Sequence, residues 1–322
     1  MANNTKEIQR RIKSIKNTRK ITRAMEMVAA AKMRKEVDRV MAVRPYAQSA
    51  WTVLANLTRA FEKYQHGLLD VREVKSILVI LVTSNRGLCG GFNAQVIKKT
   101  MQHVKNPEFL KINRVANRRI YSSVPDEEIK FDFIAVGRKG FDYLNNRGYN
   151  VIASFEEFSY LPTPDSIRPL VRIAVDDYQA KKYDKVVVAY TDYINPITQT
   201  PKLRQVLPIS KIDIEKQVAE LGIDTEEVEE TEEEKQIQYK IEPDPKKVLH
   251  HLLPRLVELQ VYHAVLESNA SEDSARMLAM RNASDAASDM VNQLQYSYNQ
   301  IRQMNITQEI AEITSGRVAL EE

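Results

Sequence analysis

Six residues, Gly87-Leu88-Cys89-Gly90-Gly91-Phe92, have the composition and position of a phosphate-binding turn, following a strand-like run and preceding a helical segment. Backbone amides in such a turn would hold an anion at a helix start. The spacing is neither G-x-G-x-x-G nor G-x-x-x-x-G-K-[ST], however, and no P-loop occurs anywhere in the chain. The turn therefore reads as tight packing of a strand against a helix, and Cys89 as a small buried filler rather than a nucleophile. As the only cysteine, it excludes an intrachain disulfide framework and a Cys-rich zinc site, and it suits a reducing compartment. The five histidines, His66, His103, His250, His251 and His263, form no i, i+4 pair and no Cys/His cluster, so no metal site is expected. Nothing calls for a cofactor or a catalytic centre. The informative residues are those of long contact surfaces.

Glycine marks where those surfaces lie. The chain has 322 residues and only 9 glycines, none before Gly67 and none between Gly222 and Gly316. Residues 1–62 read as one long helix: Ile8, Ile12, Ile15, Thr22, Met25 and Ala29 keep spacings of 3, 4 and 7, with Asn3, Asn4 and Thr5 as caps and Pro45 as an internal kink. Residues 75–210 alternate strands with helices. The strands are Ser76–Thr83, Phe131–Val136, Val151–Phe155 and Lys185–Thr191; the helices lie near Asn93–Lys105, Gly140–Arg147 and Ser166–Lys181. This rhythm implies βαβ units and a central Rossmann-like α/β domain with a mainly parallel sheet. An acidic insertion with a return strand occupies 211–242, where eight of eleven residues from Asp224 to Glu234 are Asp or Glu.

Residues 245–322 return to helix, regular to about 314. Leu259, Leu266, Met280, Ala287, Leu294 and Ile301 fall in one heptad register; Leu256, Ala270, Met277, Val291 and Tyr298 fall in its partner. His263, Asp273, Ser284 and Asn305 interrupt the seam. If the α/β domain is compact, the flanking helices leave it side by side, giving an antiparallel two-helix coiled coil. Its C-terminal helix is expected to project roughly 15 Å past the other.

From Ala24 to Met33, eight of ten residues are apolar, more than one partner helix covers. Ile301, Met304, Ile306, Ile310, Ile313, Val318 and Leu320 form a second apolar band. Residues 1–44 hold 13 Lys and Arg against 4 Asp and Glu, a net of +9, which points to an acidic partner surface. A basic coiled coil that binds nucleic acid is an alternative, although basic and apolar residues interleave instead of forming a basic arm followed by a zipper. Glu7, Glu26 and the continuing helix argue against a transit peptide. No apolar run reaches the roughly 18 residues of a membrane span.

The opening IQRRIKSIKNTRKITRAMEMVAAAKMRK, the turn LVTSNRGLCGGFN, the stretch LLPRLVELQVYHAVLESNASEDSARMLAMRNASDAA and the closing NITQEIAEITSGRVAL together resemble the gamma subunit of the bacterial F-type ATP synthase. The resemblance implies a non-catalytic central-stalk rotor that couples proton or sodium flow to ATP synthesis or hydrolysis. It implies alpha and beta subunits as a ring around the paired helices, and the epsilon subunit and membrane rotor ring as partners of the α/β domain. It places the chain peripherally on the cytoplasmic face of the cell membrane. By the same resemblance, Lys20, Arg23 and Met25, with Arg302, Gln303, Thr307, Gln308 and Glu309, match segments facing the beta subunits. The family usually carries Asp where this chain has Asn85, and Gly-Ala where it has Gly316-Arg317. The insertion is longer than the usual connection, and the cysteine pair of redox-regulated chloroplast relatives is absent.

Overall fold

The computed structural model describes residues 2–61, 66–115, 118–121, 124–156, 158, 162–209 and 245–321. The acidic insertion expected at 211–242 lies outside the described residues. Contacts divide the chain into two compact units, Met1–Ala31 with Arg276–Glu322, and Lys32–Ala275. The division falls inside both long helices, α1 (Ala2–Phe61) and α5 (Pro245–Glu321), rather than at their ends.

The unit Lys32–Ala275 is built on five strands, β1 (Ser76–Val82), β4 (Lys130–Val136), β5 (Val151–Phe155), β6 (Lys185–Tyr193) and β7 (Gln199–Leu207), in the order β5-β4-β1-β6-β7. A separate antiparallel ribbon pairs β2 (Ile112–Val115) with β3 (Arg118–Tyr121). The first four strands of the sheet are parallel, and β7 runs antiparallel to β6. The expected parallel core is present; the antiparallel edge and the β2–β3 ribbon were not foreseen. β7 carries Pro201 and alternates poorly, which an edge strand tolerates.

Both faces of β1 are covered, which is why its sequence is uninterruptedly apolar. Leu78, Ile80 and Val82 meet α4 (Pro164–Gln179), through Ile167, Leu170 and Ala174, and the first part of α5, through Leu253, Val257 and Val261. Ile77, Val79 and Leu81 meet α2 (Phe92–Lys105), through Val96, Ile97 and Met101, and α3 (Arg138–Asn145), through Leu144. Thr163 and Ser166 close a reciprocal cap at the start of α4.

The strand-turn-helix motif is locked from within. Asn93 Oδ1 accepts from Ser84 N (3.0 Å), while its amide donates to Ser84 Oγ (2.7 Å) and Cys89 Sγ (3.3 Å). Gly137, with φ +89°, sits so close to β1 that an added Cβ would lie 2.1 Å from Thr83 O. Only glycine allows that approach. Asn85 bridges the same region, accepting from Arg138 N (2.8 Å) at the start of α3 and donating to Glu156 O. An Asp at that position would retain the first bond and lose the second.

Where α5 crosses β6 and β7, charge is buried. Asp192 pairs with Lys202 at 2.6 Å, and Glu267 lies 3.4 Å from His263. Burial pushes the Glu267 carboxyl up, but His263, Arg204 and Lys202 outweigh it and hold it below the ordinary value. Asp192 is raised, by burial first and by Glu267 second, against the pull of Lys202.

In the unit Met1–Ala31 with Arg276–Glu322, α1 and α5 run antiparallel, with Gln9 bonded to Tyr298 (2.7 Å), Arg19 to Ser288 (3.2 Å) and Thr22 to Ser284 (2.7 Å). This register sets Ala2 level with about residue 305, so about 16 residues of α5 overhang, roughly 24 Å. The expected overhang of about 15 Å was too short because the helix does not stop near 314 but passes through Gly316 to Glu321. One glycine costs a helix only about 1 kcal/mol. Arg317 therefore sits within a helix, not at its end. α1 likewise begins at Ala2, ahead of the expected caps, and is continuous across Pro45.

Gly137→Ala is expected to destabilise the Lys32–Ala275 unit by roughly 3 kcal/mol, read as a lowered denaturation midpoint. A depressed carboxyl stabilises the fold above its unfolded pKa and loses that contribution as pH falls through the folded value; a raised one does the reverse. Glu267→Gln is therefore expected to flatten the loss of melting temperature below about pH 4.5, and Asp192→Asn to leave that acid loss in place.

Candidate functional site

The coiled-coil seam can be followed residue by residue. On α1 it runs Ile8, Ile12, Ile15, Arg19, Thr22, Glu26 and Ala29; on α5 it runs Met280, Ser284, Ala287, Val291, Leu294, Tyr298 and Ile301. Steps of three and four keep both series on the facing stripes. Ile12, Ala29, Met280, Ala287 and Val291 are buried. The middle of the seam is polar: Thr22 shares a hydrogen bond with Ser284, Arg19 reaches Ser288, and Glu26 is clamped at 2.7 Å by Arg23.

The apolar residues of this stretch point outward. Ile21 and Met27 are 60% exposed and Val28 is 57% exposed. Ile21 and Val28, one heptad apart, lie on one flank, about 130° from the seam; Met27 and Lys20 lie on the other. An isolated two-helix coil places apolar groups inside and polar ones outside, so this arrangement is inverted. Met304, level with the start of α1, and Ile306, Ile310 and Ile313 on the overhang are exposed as well, Ile313 to 73%.

The residues carried over by resemblance divide into two groups. Lys20 and Arg23 are exposed, and Met25 is half-buried beside the seam position held by Glu26. Arg302 and Gln303 are exposed near the start of α1, while Thr307, Gln308 and Glu309 lie on the overhang, Gln308 donating to Glu312 at 2.8 Å. The register brings Lys20–Met25 level with residues near 281–287, so the groups stand roughly 20–40 Å apart along the helices. They occupy two separate stretches of the paired helices. Ile21, Met27 and Val28 lie in the first stretch, and only the register separates these exposed apolar residues from the seam.

The catalytic possibilities narrow in the same way. The glycine turn is filled by the Asn93 side chain, and Cys89 is 2% exposed. The fold does bring His66, His250 and His251 together, with ring centroids 5.7 and 5.9 Å apart, across a separation that sequence spacing conceals. Burial, then His250, lowers the pKa of His66. Among the described residues no group of three or more side chains could hold a metal ion, and no helix is long and apolar enough to cross a membrane.

The Thr22–Ser284 contact makes a quantitative test of the polar seam. A double-mutant cycle with Thr22→Val and Ser284→Ala is expected to return a coupling of about 1 kcal/mol in denaturant unfolding. A coupling near zero would mean that the two hydroxyls are solvated independently.

The ATP synthase family model matches residues 4–320. The ATP synthase gamma chain of Legionella pneumophila (strain Corby) is 37% identical over 315 residues, covering 98% of this chain and 99% of the relative. The gamma chain of Psychrobacter sp. (strain PRwf-1) is 38% identical over 315 residues, covering 98% of both. Among solved structures, the rotor of the Euglena gracilis mitochondrial ATP synthase in rotational state 1 shares the fold, with a TM-score of 0.60 at 18% identity over 95% of this chain and all of that one. A chain from the central stalk and c-ring of the Tetrahymena thermophila mitochondrial ATP synthase gives a TM-score of 0.53 at 24% identity, covering 82% and 99%. With that identity sustained along nearly its whole length, the chain belongs to the ATP synthase gamma-chain family.

Proposed function

We propose that the chain is the central-stalk rotor of a bacterial F-type ATP synthase. It is a non-catalytic subunit: it couples proton or sodium flow through a membrane rotor ring to nucleotide chemistry carried out in a ring of alpha and beta subunits. The observation that carries this reading is the inverted coiled coil, apolar outside at Ile21, Met27 and Val28 and polar between the helices at Arg19, Thr22 and Glu26. Such a rod has its lowest free energy when enclosed. The epsilon subunit and the membrane rotor ring are the partners of the α/β unit, and the chain works peripherally at the cytoplasmic face of the membrane.

The mechanism is differential contact. An antiparallel pair of helices has no threefold symmetry, so inside a ring with three catalytic interfaces it touches each one differently. Rotation changes which interface receives the favourable contacts and shifts each site among its affinity states. Lys20, Arg23, Arg302, Gln303, Thr307, Gln308 and Glu309 supply polar, directional contacts. Met25, on the side of the exposed Ile21 and Val28, supplies part of a smooth apolar band. The nucleic-acid reading is set aside: the gamma-chain relationship runs the length of the chain, and the exposed apolar flank would meet a polyanion directly.

Purified alone, the chain is expected to hydrolyse no ATP and to co-assemble with alpha and beta subunits; a stable monomer that ignores them and binds DNA at low salt would restore the alternative. In the assembled enzyme, Met25→Lys places a cation in the enclosed band and is expected to lower proton pumping per ATP about fivefold in vesicles, whereas Met25→Leu leaves it near wild type. Unchanged pumping in Met25→Lys would remove Met25 from the bearing surface.

A further inference from the structure

Between Glu258 and Ser274, α5 is buried or half-buried at every residue, yet it is rich in polar side chains. Their partners lie on two sides. Glu258 meets Arg168 of α4 at 3.4 Å, Tyr262 Oη donates to Pro162 O at 3.3 Å, and Asn269 Nδ2 donates to Phe158 O at 2.8 Å. Ser271 Oγ donates to Thr191 O on β6 at 3.2 Å. Ser274 Oγ donates to Pro196 O in the β6–β7 connection at 2.7 Å and accepts from Gln199 Nε2 at 3.3 Å. On the same side, Glu267 lies 3.4 Å from His263, and the charges of Arg204 and Lys202 on β7 favour its ionised form.

At about 100° per residue, Glu258, Tyr262 and Asn269 fall within about 40° of one another around the helix, while His263, Glu267, Ser271 and Ser274 centre roughly 160° away. The helix is held from opposite sides by different elements. Apolar packing is non-directional and resists turning about the helix axis weakly. Hydrogen bonds to fixed backbone carbonyls are directional, and two opposed sets form a couple that opposes that turning. Small side chains suit the site: Ser271 and Ser274 are fully buried where their hydroxyls reach main-chain carbonyls of β6 and its connection.

We propose that Asn269, Ser271 and Ser274 are the torque-bearing grip through which the α/β unit drives α5, acting as positioning residues for rotary coupling. This inference rests on the rotor reading above. α5 is one continuous helix from this segment to Glu321, so a turn imposed here is passed along a single hydrogen-bonded rod.

The test uses the complete enzyme rebuilt in vesicles with wild-type chain, with Asn269→Ala/Ser271→Ala/Ser274→Ala, and with the milder Gln199→Ala, which removes the bonds of its Nε2 to Ser274 Oγ and to Pro196 O and Asn195 O while leaving the Ser274 bond to Pro196 O in place. Protons pumped per ATP hydrolysed and melting temperature are measured for each. The grip predicts ATP hydrolysis close to wild type with pumping per ATP reduced about threefold in the triple variant, a smaller reduction in Gln199→Ala, and wider angular fluctuation of a bead fixed to the α/β unit. If the triple variant fails to fold, Gln199→Ala carries the test alone. A lowered melting temperature with an unchanged pumping ratio in the variants that assemble would reduce these residues to stabilising contacts and overturn the proposal. If the wild-type chain supports no pumping, the rotor reading itself falls and the grip falls with it.

Discussion

Two paired helices have only one seam. Each covers a stripe of the other, and most of either circumference remains outside the pair. In the Met1–Ala31 and Arg276–Glu322 unit that limit decides the chemistry, because the seam is spent partly on hydroxyls and an arginine while isoleucine, methionine and valine occupy the flanks. Thr22 and Ser284 satisfy one another, which fixes register at the expense of apolar burial, much as a polar layer does in other coiled coils. The pair therefore buries Ile12, Ala29, Met280, Ala287 and Val291 in its seam and leaves Ile21, Met27 and Val28 outside it.

The α/β unit meets the opposite condition. There α5 is surrounded, and a buried polar group is costly unless it finds a partner among the elements that surround it. Serine and asparagine answer this by bonding main-chain carbonyls at Phe158, Thr191 and Pro196, which stay in place when side chains rearrange. The same helix therefore has two environments along its length, one enclosed by its own chain and one that leaves apolar flanks exposed. Its sequence changes to match, from ESNASEDSA to the heptads beyond Arg276.

Much of this was legible from residue types alone. β5 spans the expected Val151–Phe155, and β1, α2 and the heptads on α5 follow directly from apolar runs and 3.6-residue periodicity, signals that burial on both faces or on one stripe imposes. β7 was illegible because an edge strand with Pro201, Lys202 and Arg204 shows neither a run nor a clean alternation. The basic β2–β3 ribbon was hidden for the same reason. The apolar stretch of α1 was readable in outline and not in detail: apolar count marked the Ala24–Met33 band, but which members face outward depends on whether Met25 or Glu26 occupies the seam. That is set by the register against α5, a long-range fact. The meeting of His66 with His250 and the opposed bonds around α5 are likewise products of tertiary contact.

The overhang of α5 has a dimensional consequence. Level with Ala2, the shaft thins from two helices, about 20 Å across at ordinary interaxial spacing, to one of about 10–12 Å. The start of α1 is therefore a shoulder. Beyond it, residues 306–321 present a cross-section about half as wide as the pair. Adding or removing residues at the start of α1 would move that step along α5 and change how many residues of the tip stand clear of the pair.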